Sequence, residues 1–170
     1  MGIEYIEGDL LASDEGVVIH GCNIRGGFDT GFAGVVRKRH PAALDAYMKH
    51  HRAGSLILGS VIWAFDGKRL VGNALTQPTY GRSGQHVSYE AVRSCMLAVA
   101  DAARNGILGT PFRGGFDRVS MPLIGSQRGG GDWATIERII EETIGHLTTV
   151  VYVLPGHKPT AAELGSRPRR

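Results

Sequence analysis

The sequence predicts an α/β fold in three layers, with a mixed central sheet covered by helices on both faces. Three observations predict it. Strand-like and helix-like patterns alternate along the chain, the arrangement that packs helices over a sheet. Two glycine-rich stretches, one ending at Gly31 and one at Gly131, each run from a strand straight into a helix. A single Asp66-Gly67 bend between two apolar runs marks a hairpin, so the sheet is mixed. At 170 residues the chain is one domain with room for a buried core. The expected body is 1–154, followed by a tail, 155–170.

Each element has a local reason. Ile3 to Ile6 alternates as a first strand and ends at Gly8-Asp9-Leu10. Val17-Val18-Ile19 reads as a short buried strand, and the helix from Phe32 to about Arg39 breaks at His40-Pro41, because a residue before proline avoids helical geometry. Pro41 suits the first turn of a second helix, Ala42 to His51. Leu56 to Phe65 and Leu70 to Gln77 form the hairpin, and residues 78–86 are a polar loop. Val92, Met96, Val99 and Ala103 mark one face of a helix over 87–104. An inserted loop over 107–118 leads to a strand over 119–124, where Pro122 argues for an end or an irregularity. Asp132 suits the N-cap of a helix over 133–144, and Thr148 to Leu154 is a β-branched last strand.

In such sheets ligands bind outside the carboxyl ends of strands. Asp9 and both glycine loops follow strand ends, so three elements converge on one edge. Glycine lets backbone approach a ligand closely, and the first amides of a helix point free N–H groups at an anion. Two such loops suggest two adjacent phosphates, or a phosphate and a sugar. Neither loop is a Walker loop or a G-x-G-x-x-G element.

The formal charge of +3 does not describe a basic face. Four of the nineteen Lys and Arg residues and one of the sixteen acidic ones lie from Pro155 onward, which leaves fifteen of each in a neutral body. The tail's composition predicts disorder, with at most weak attraction to nucleic acid. Cys22 and Cys95 offer neither metal spacing nor a disulfide framework, so no metal is expected. No apolar run reaches the roughly 20 residues of a membrane span, and no signal peptide is visible, so a cytoplasmic protein without membrane contact is expected.

Gly8-Asp9-Leu10, His20-Gly21-Cys22-Asn23, Gly31-Phe32-Ala33, Met121-Pro122-Leu123-Ile124-Gly125-Ser126 and Trp133 together resemble the macrodomain family, over roughly Ile3 to Leu154. The resemblance is closest to the branch of ADP-ribose 1″-phosphate phosphatases and ADP-ribosyl-glutamate hydrolases. Tyr47, Gly54, Leu58-Gly59 and Asn73-Ala74-Leu75-Thr76-Gln77 also resemble that branch. It implies a three-layer α/β/α macrodomain-like fold that binds ADP-ribose without a cofactor. Asp9 would accept from the adenine amino group with the Leu10 N–H nearby, and Asn23 would hold the distal ribose. Gly26, Gly27, Thr30, Gly31 and Phe32 in the first loop, with Gly125, Ser126, Gln127, Arg128, Gly129 and Gly130 in the second, would wrap the diphosphate and distal ribose. Tyr152 or Leu154 would lie against the adenine.

Other roles fit the same residues. Asp9 also suits a turn cap, His20 a buried histidine, Asn23 a turn former, Asp132 a helix cap, and Trp133 the core. Hydrolysis needs a positioned water, which a carboxylate or histidine can deprotonate for a gain of about 10²–10⁴-fold. The candidates are Asp29 and His20, with Asp132 third. The glutamate-deconjugating members use a lysine after the hairpin strand and an aspartate in the second loop; here stand Leu75-Thr76-Gln77-Pro78 and Gly129. A covalent lysine mechanism is therefore not expected. Two functions follow: a hydrolase acting on ADP-ribose 1″-phosphate or on ADP-ribosylated macromolecules, or an ADP-ribose reader without turnover.

Overall fold

The computed structural model describes residues 2–12 and 16–153. Leu154 and the tail, with the expectations that fall on them, lie outside the described residues. Among the described residues six strands form one sheet: β1 (Gly2–Glu7), β2 (Gly16–Asn23), β3 (Val61–Phe65), β4 (Arg69–Gln77), β5 (Arg118–Met121) and β6 (Thr148–Val153). Their order is β1-β6-β5-β2-β4-β3. Only β3, hairpin partner of β4, runs antiparallel to its neighbour. The helices are α1 (Gly31–Arg39), α2 (Pro41–Arg52), α3 (Tyr89–Asn105) and α4 (Trp133–Ile144). This is the expected mixed sheet between two helical layers.

Strand alternation separates two cores. Val17 and Ile19 of β2 join the cluster under α3 and α4, which includes Val92, Met96, Ile136 and Ile140. Val18 and Cys22 join the cluster under α1 and α2, with Val36, Ala43 and Tyr47. His20 has the parity of Val18 and Cys22, so its ring enters the α1/α2 layer. Helix ends follow their local chemistry. Ser88 Oγ accepts from the Ala91 amide at 3.1 Å, and Asp132 accepts from the Thr135 amide at 3.0 Å. His40, before Pro41, leaves helical geometry at φ −133° and ψ 71° and separates α1 from α2.

Three strand boundaries differ from expectation. β2 extends beyond Ile19 to Asn23, because His20 to Cys22 continue the parallel ladder with β4. β3 begins only at Val61, since Ile57 to Ser60 form a turn closed by the Ser60 amide on the Ile57 carbonyl at 3.1 Å. β5 stops at Met121, before Pro122, which has no N–H for a ladder. Trp133 is fully buried, and its indole N–H donates to the Tyr5 hydroxyl at 2.7 Å. No helix among the described residues is long and apolar enough to cross a membrane.

Candidate functional site

β2, β4 and β5 run parallel and end on the same edge of the sheet. There the two glycine loops face each other across a cavity of about 330 Å³. Of the expected ligand contacts, Asn23, Gly27, Thr30, Gly31, Phe32, Gly125, Gln127, Arg128 and Gly129 line it. So do residues the sequence reading passed over: Cys22 in its floor, and Gln77, Tyr80, Gly81 and Arg82 from the loop after β4. Among the described residues, Arg82 and Arg128 are the only charged side chains in the lining, and no carboxylate joins them. A cavity with two cations and no anion takes up negative charge.

The first loop is shaped by Asn23. The pairing of β2 with β4 shifts register between Cys22 and Asn23, just before the strand ends. Asn23 Oδ1 accepts from the Arg25 amide at 2.8 Å and the Gly27 amide at 3.2 Å, and Nδ2 donates to the Gly27 carbonyl at 2.8 Å. Fully buried Tyr47 completes the brace: its hydroxyl donates to the Asn23 carbonyl at 2.8 Å and accepts from the Gly26 amide at 3.0 Å. Burial pushes this phenol up to about 12, so it stays protonated. Asn23 thus lines the cavity, yet most of its polar capacity builds the loop. Gly26 lies behind the lining, where a Cβ would stand 2.5 Å from the His51 ring.

At the end of this loop the amides of Gly31, Phe32 and Ala33 have no acceptor among the described residues, and Thr30 gives α1 no side-chain cap. Gly31 holds φ at +61°, a region that favours glycine. The Arg128 side chain of the second loop lies along it, its Cδ 3.1 Å from the position of a Cβ there. A guanidinium therefore stands beside the positive end of the α1 dipole. In the second loop, Ser126 and Gly130 are outside the lining. Ser126 donates to the Leu123 carbonyl at 3.1 Å, and Gly130 packs on the Gly84 backbone.

Neither His20 nor Asp29 lines the cavity. His20 is fully buried, below the rings of Phe28 and Phe32 at centroid distances of 5.4 and 5.9 Å. Its Nε2 bonds Asn73 Oδ1 at 2.6 Å, while Asn73 Nδ2 donates to the Ala43 carbonyl at 2.9 Å. That orientation of Asn73 places the imidazole proton on Nε2. Burial, opposed by the Asn73 bond, lowers the His20 pKa to about 4. The ring is a neutral core group outside the cavity lining. Asp29 points away from the cavity and pairs with Arg37 on the surface, because its neighbour Phe28 takes the inward position. Asp132 is spent on its N-cap. Cys22 reaches the His20 ring at 3.7 Å, but burial raises its thiol well above the ordinary range, so the pair is a thiol and a neutral imidazole.

The residues expected at the adenine end do not line this cavity. Asp9 is exposed and caps its own turn, accepting from the Leu11 amide at 2.9 Å. Leu10 and Tyr152 come together, but at a second cavity of about 290 Å³ shared with Arg69 and Ser120. Among the described residues no cluster of three or more His, Cys, Asp or Glu side chains is placed to hold a metal ion.

No family model matches the chain. It is similar to an uncharacterised 17.5 kDa protein of Enterobacteria phage T4, 28% identical over 89% of this chain and 96% of that protein. It is also similar to a Saccharomyces cerevisiae ADP-ribose 1″-phosphate phosphatase, 27% identical over 89% of this chain and 98% of the yeast protein. Among solved structures, a macrodomain protein from Streptomyces coelicolor superposes with a TM-score of 0.66 at 28% identity, covering 88% of this chain and 97% of the other.

Proposed function

We propose that this chain, a member of the macrodomain family, binds ADP-ribose in the cavity between its two glycine loops. One observation carries the reading: among the described residues, a cavity at the strand carboxyl ends is lined by two arginines and no carboxylate, and opens on the uncapped start of α1. The diphosphate sits against the α1 amides and Arg128, where two anionic groups meet a helix N-terminus and a guanidinium. The distal ribose lies towards Asn23, Gly27 and Tyr80.

A second reading, hydrolysis of ADP-ribose 1″-phosphate, is favoured by the name of the yeast relative. Among the described residues no imidazole or carboxylate lines the cavity to serve as a general base. Turnover here would depend on water held by backbone amides and Gln127, with the substrate's own phosphate oxygens as proton acceptors. Removal of ADP-ribose from a modified macromolecule makes the same demand on the cavity.

Calorimetry with ADP-ribose and phosphate release from ADP-ribose 1″-phosphate test the two readings together. Micromolar binding is expected, a free energy of about −8 kcal/mol. Binding without phosphate release makes the chain a reader, and release with it makes the chain a phosphatase. A folded protein that binds neither compound refutes the assignment. A loss of release above about a hundredfold in Asp29→Ala would return that carboxylate to the chemistry, since a general base contributes on that scale.

A further inference from the structure

The loop after β4 gives the cavity a third wall, and that wall carries a cation which the diphosphate cradle does not use. The two arginines stand in different places. Arg128 lies along Gly31 at the start of α1. Arg82 belongs to residues 78–86, the loop whose Tyr80 ring comes within 3.4 Å of the position of a Cβ on Gly27, where Asn23 Nδ2 also approaches at 3.2 Å.

This loop is braced on both sides. Arg25 of the first glycine loop donates through Nε to the Pro78 carbonyl at 3.0 Å. The amides of His86 and Val87 both donate to the Gly129 carbonyl, at 2.7 and 3.0 Å. Inside the loop His86 bonds the Thr79 hydroxyl through Nδ1 and the Ser83 carbonyl through Nε2, each at 2.8 Å. These bonds hold the loop on either side of Arg82, whose guanidinium has no hydrogen bond or ion pair among the described residues.

We propose that Arg82 is a specificity-determining residue: it receives a phosphate monoester on the distal ribose, the group that distinguishes ADP-ribose 1″-phosphate from ADP-ribose. The inference rests on the ADP-ribose reading of the same cavity. With the diphosphate at Arg128 and the distal ribose at Asn23 and Tyr80, a phosphate beyond that ribose meets the third wall. A guanidinium matches two oxygens of a phosphate with two parallel N–H donors, a geometry that a lysine does not reproduce.

The test compares the affinities of ADP-ribose and of its uncleavable 1″-phosphonate analogue, measured by calorimetry on the full chain. The wild type is expected to bind the phosphonate about tenfold more tightly, or about 1.4 kcal/mol. Arg82→Gln should bring the two ligands to within about twofold of each other, and Arg82→Lys should fall between. Arg93→Gln, a surface arginine of α3 paired with Glu142, should keep the wild-type ratio, and melting temperatures verify that each variant is folded. A wild-type ratio near one, or a full ratio in Arg82→Gln, overturns the role of Arg82 while ADP-ribose binding stands. A folded wild type that binds neither ligand overturns the ADP-ribose reading, and this inference falls with it.

Discussion

Acidification from pH 6.5 to pH 4 should cost the fold about 3 kcal/mol through His20 alone, from a pKa near 4 in the native state against 6.5 in the unfolded chain. The sign follows from proton counts. In this window the unfolded chain holds the proton and the native core excludes it, so stability rises with pH. The contribution is complete above pH 6.5 and lost as pH falls towards 4. Asp66 and Asp132 also have lowered values, but their loss begins lower, around the ordinary carboxylate value of 3.8. Urea unfolding at a series of pH values reads the slope. His20→Gln should flatten it between pH 4 and 6.5, and a slope unchanged in that variant would assign the acid sensitivity to other groups. The measurement also bears on mechanism, because a histidine that resists protonation until about pH 4 is not a general acid near neutrality.

Arg128→Glu should weaken ADP-ribose binding by about a hundredfold, because reversing a unit charge a few ångströms from the diphosphate changes the interaction by about 2–4 kcal/mol at an exposed, water-screened site. The variant should not unfold. Arg128 is exposed, and a carboxylate beside Gly31 would face the positive end of the α1 dipole, which favours it by about 0.3–1 kcal/mol. Lost affinity with an unchanged or raised melting temperature is therefore the expected pair of results. Unchanged affinity would place the diphosphate somewhere other than the start of α1.

The alternation of strands and helices was legible because each helix carries its own stop or start: Pro41, Gly106, Ser88 and Asp132 act within a few residues of chain. The two glycine loops were legible for the same reason, since a strand, a run of glycines and a helix are contiguous in sequence. Position within the loops was not. Phe28 and Asp29 are neighbours, and only the apolar layer under α1 and α2 decides that the ring goes inward and the carboxylate outward. A strand that ends at Ile19 leaves His20 free to face either the loop or the core. Once the strand continues to Asn23, alternation puts His20 in the layer of Val18 and Cys22.

The third wall was missed because nothing follows it that resembles an anion site. Residues 78–86 lead to α3 through Ser88, which caps that helix and closes its N-terminus. The available signal was topological: β4 is parallel to β2 and ends on the same edge, so the loop after Gln77 had to share that edge. Asp9, by contrast, satisfies its own turn, a competing use of a carboxylate after a strand that sequence alone leaves open.

The most direct test of the central claim is a map of backbone amide shifts in isotope-labelled protein as ADP-ribose is added. The account predicts the largest changes at Gly27, Gly31, Phe32, Gly125 and Gly129, with Tyr80 to Arg82 moving alongside them. Shifts confined to Leu10, Ser120 and Tyr152 would put the ligand in the second cavity and contradict the account, and so would a spectrum that ADP-ribose leaves unchanged.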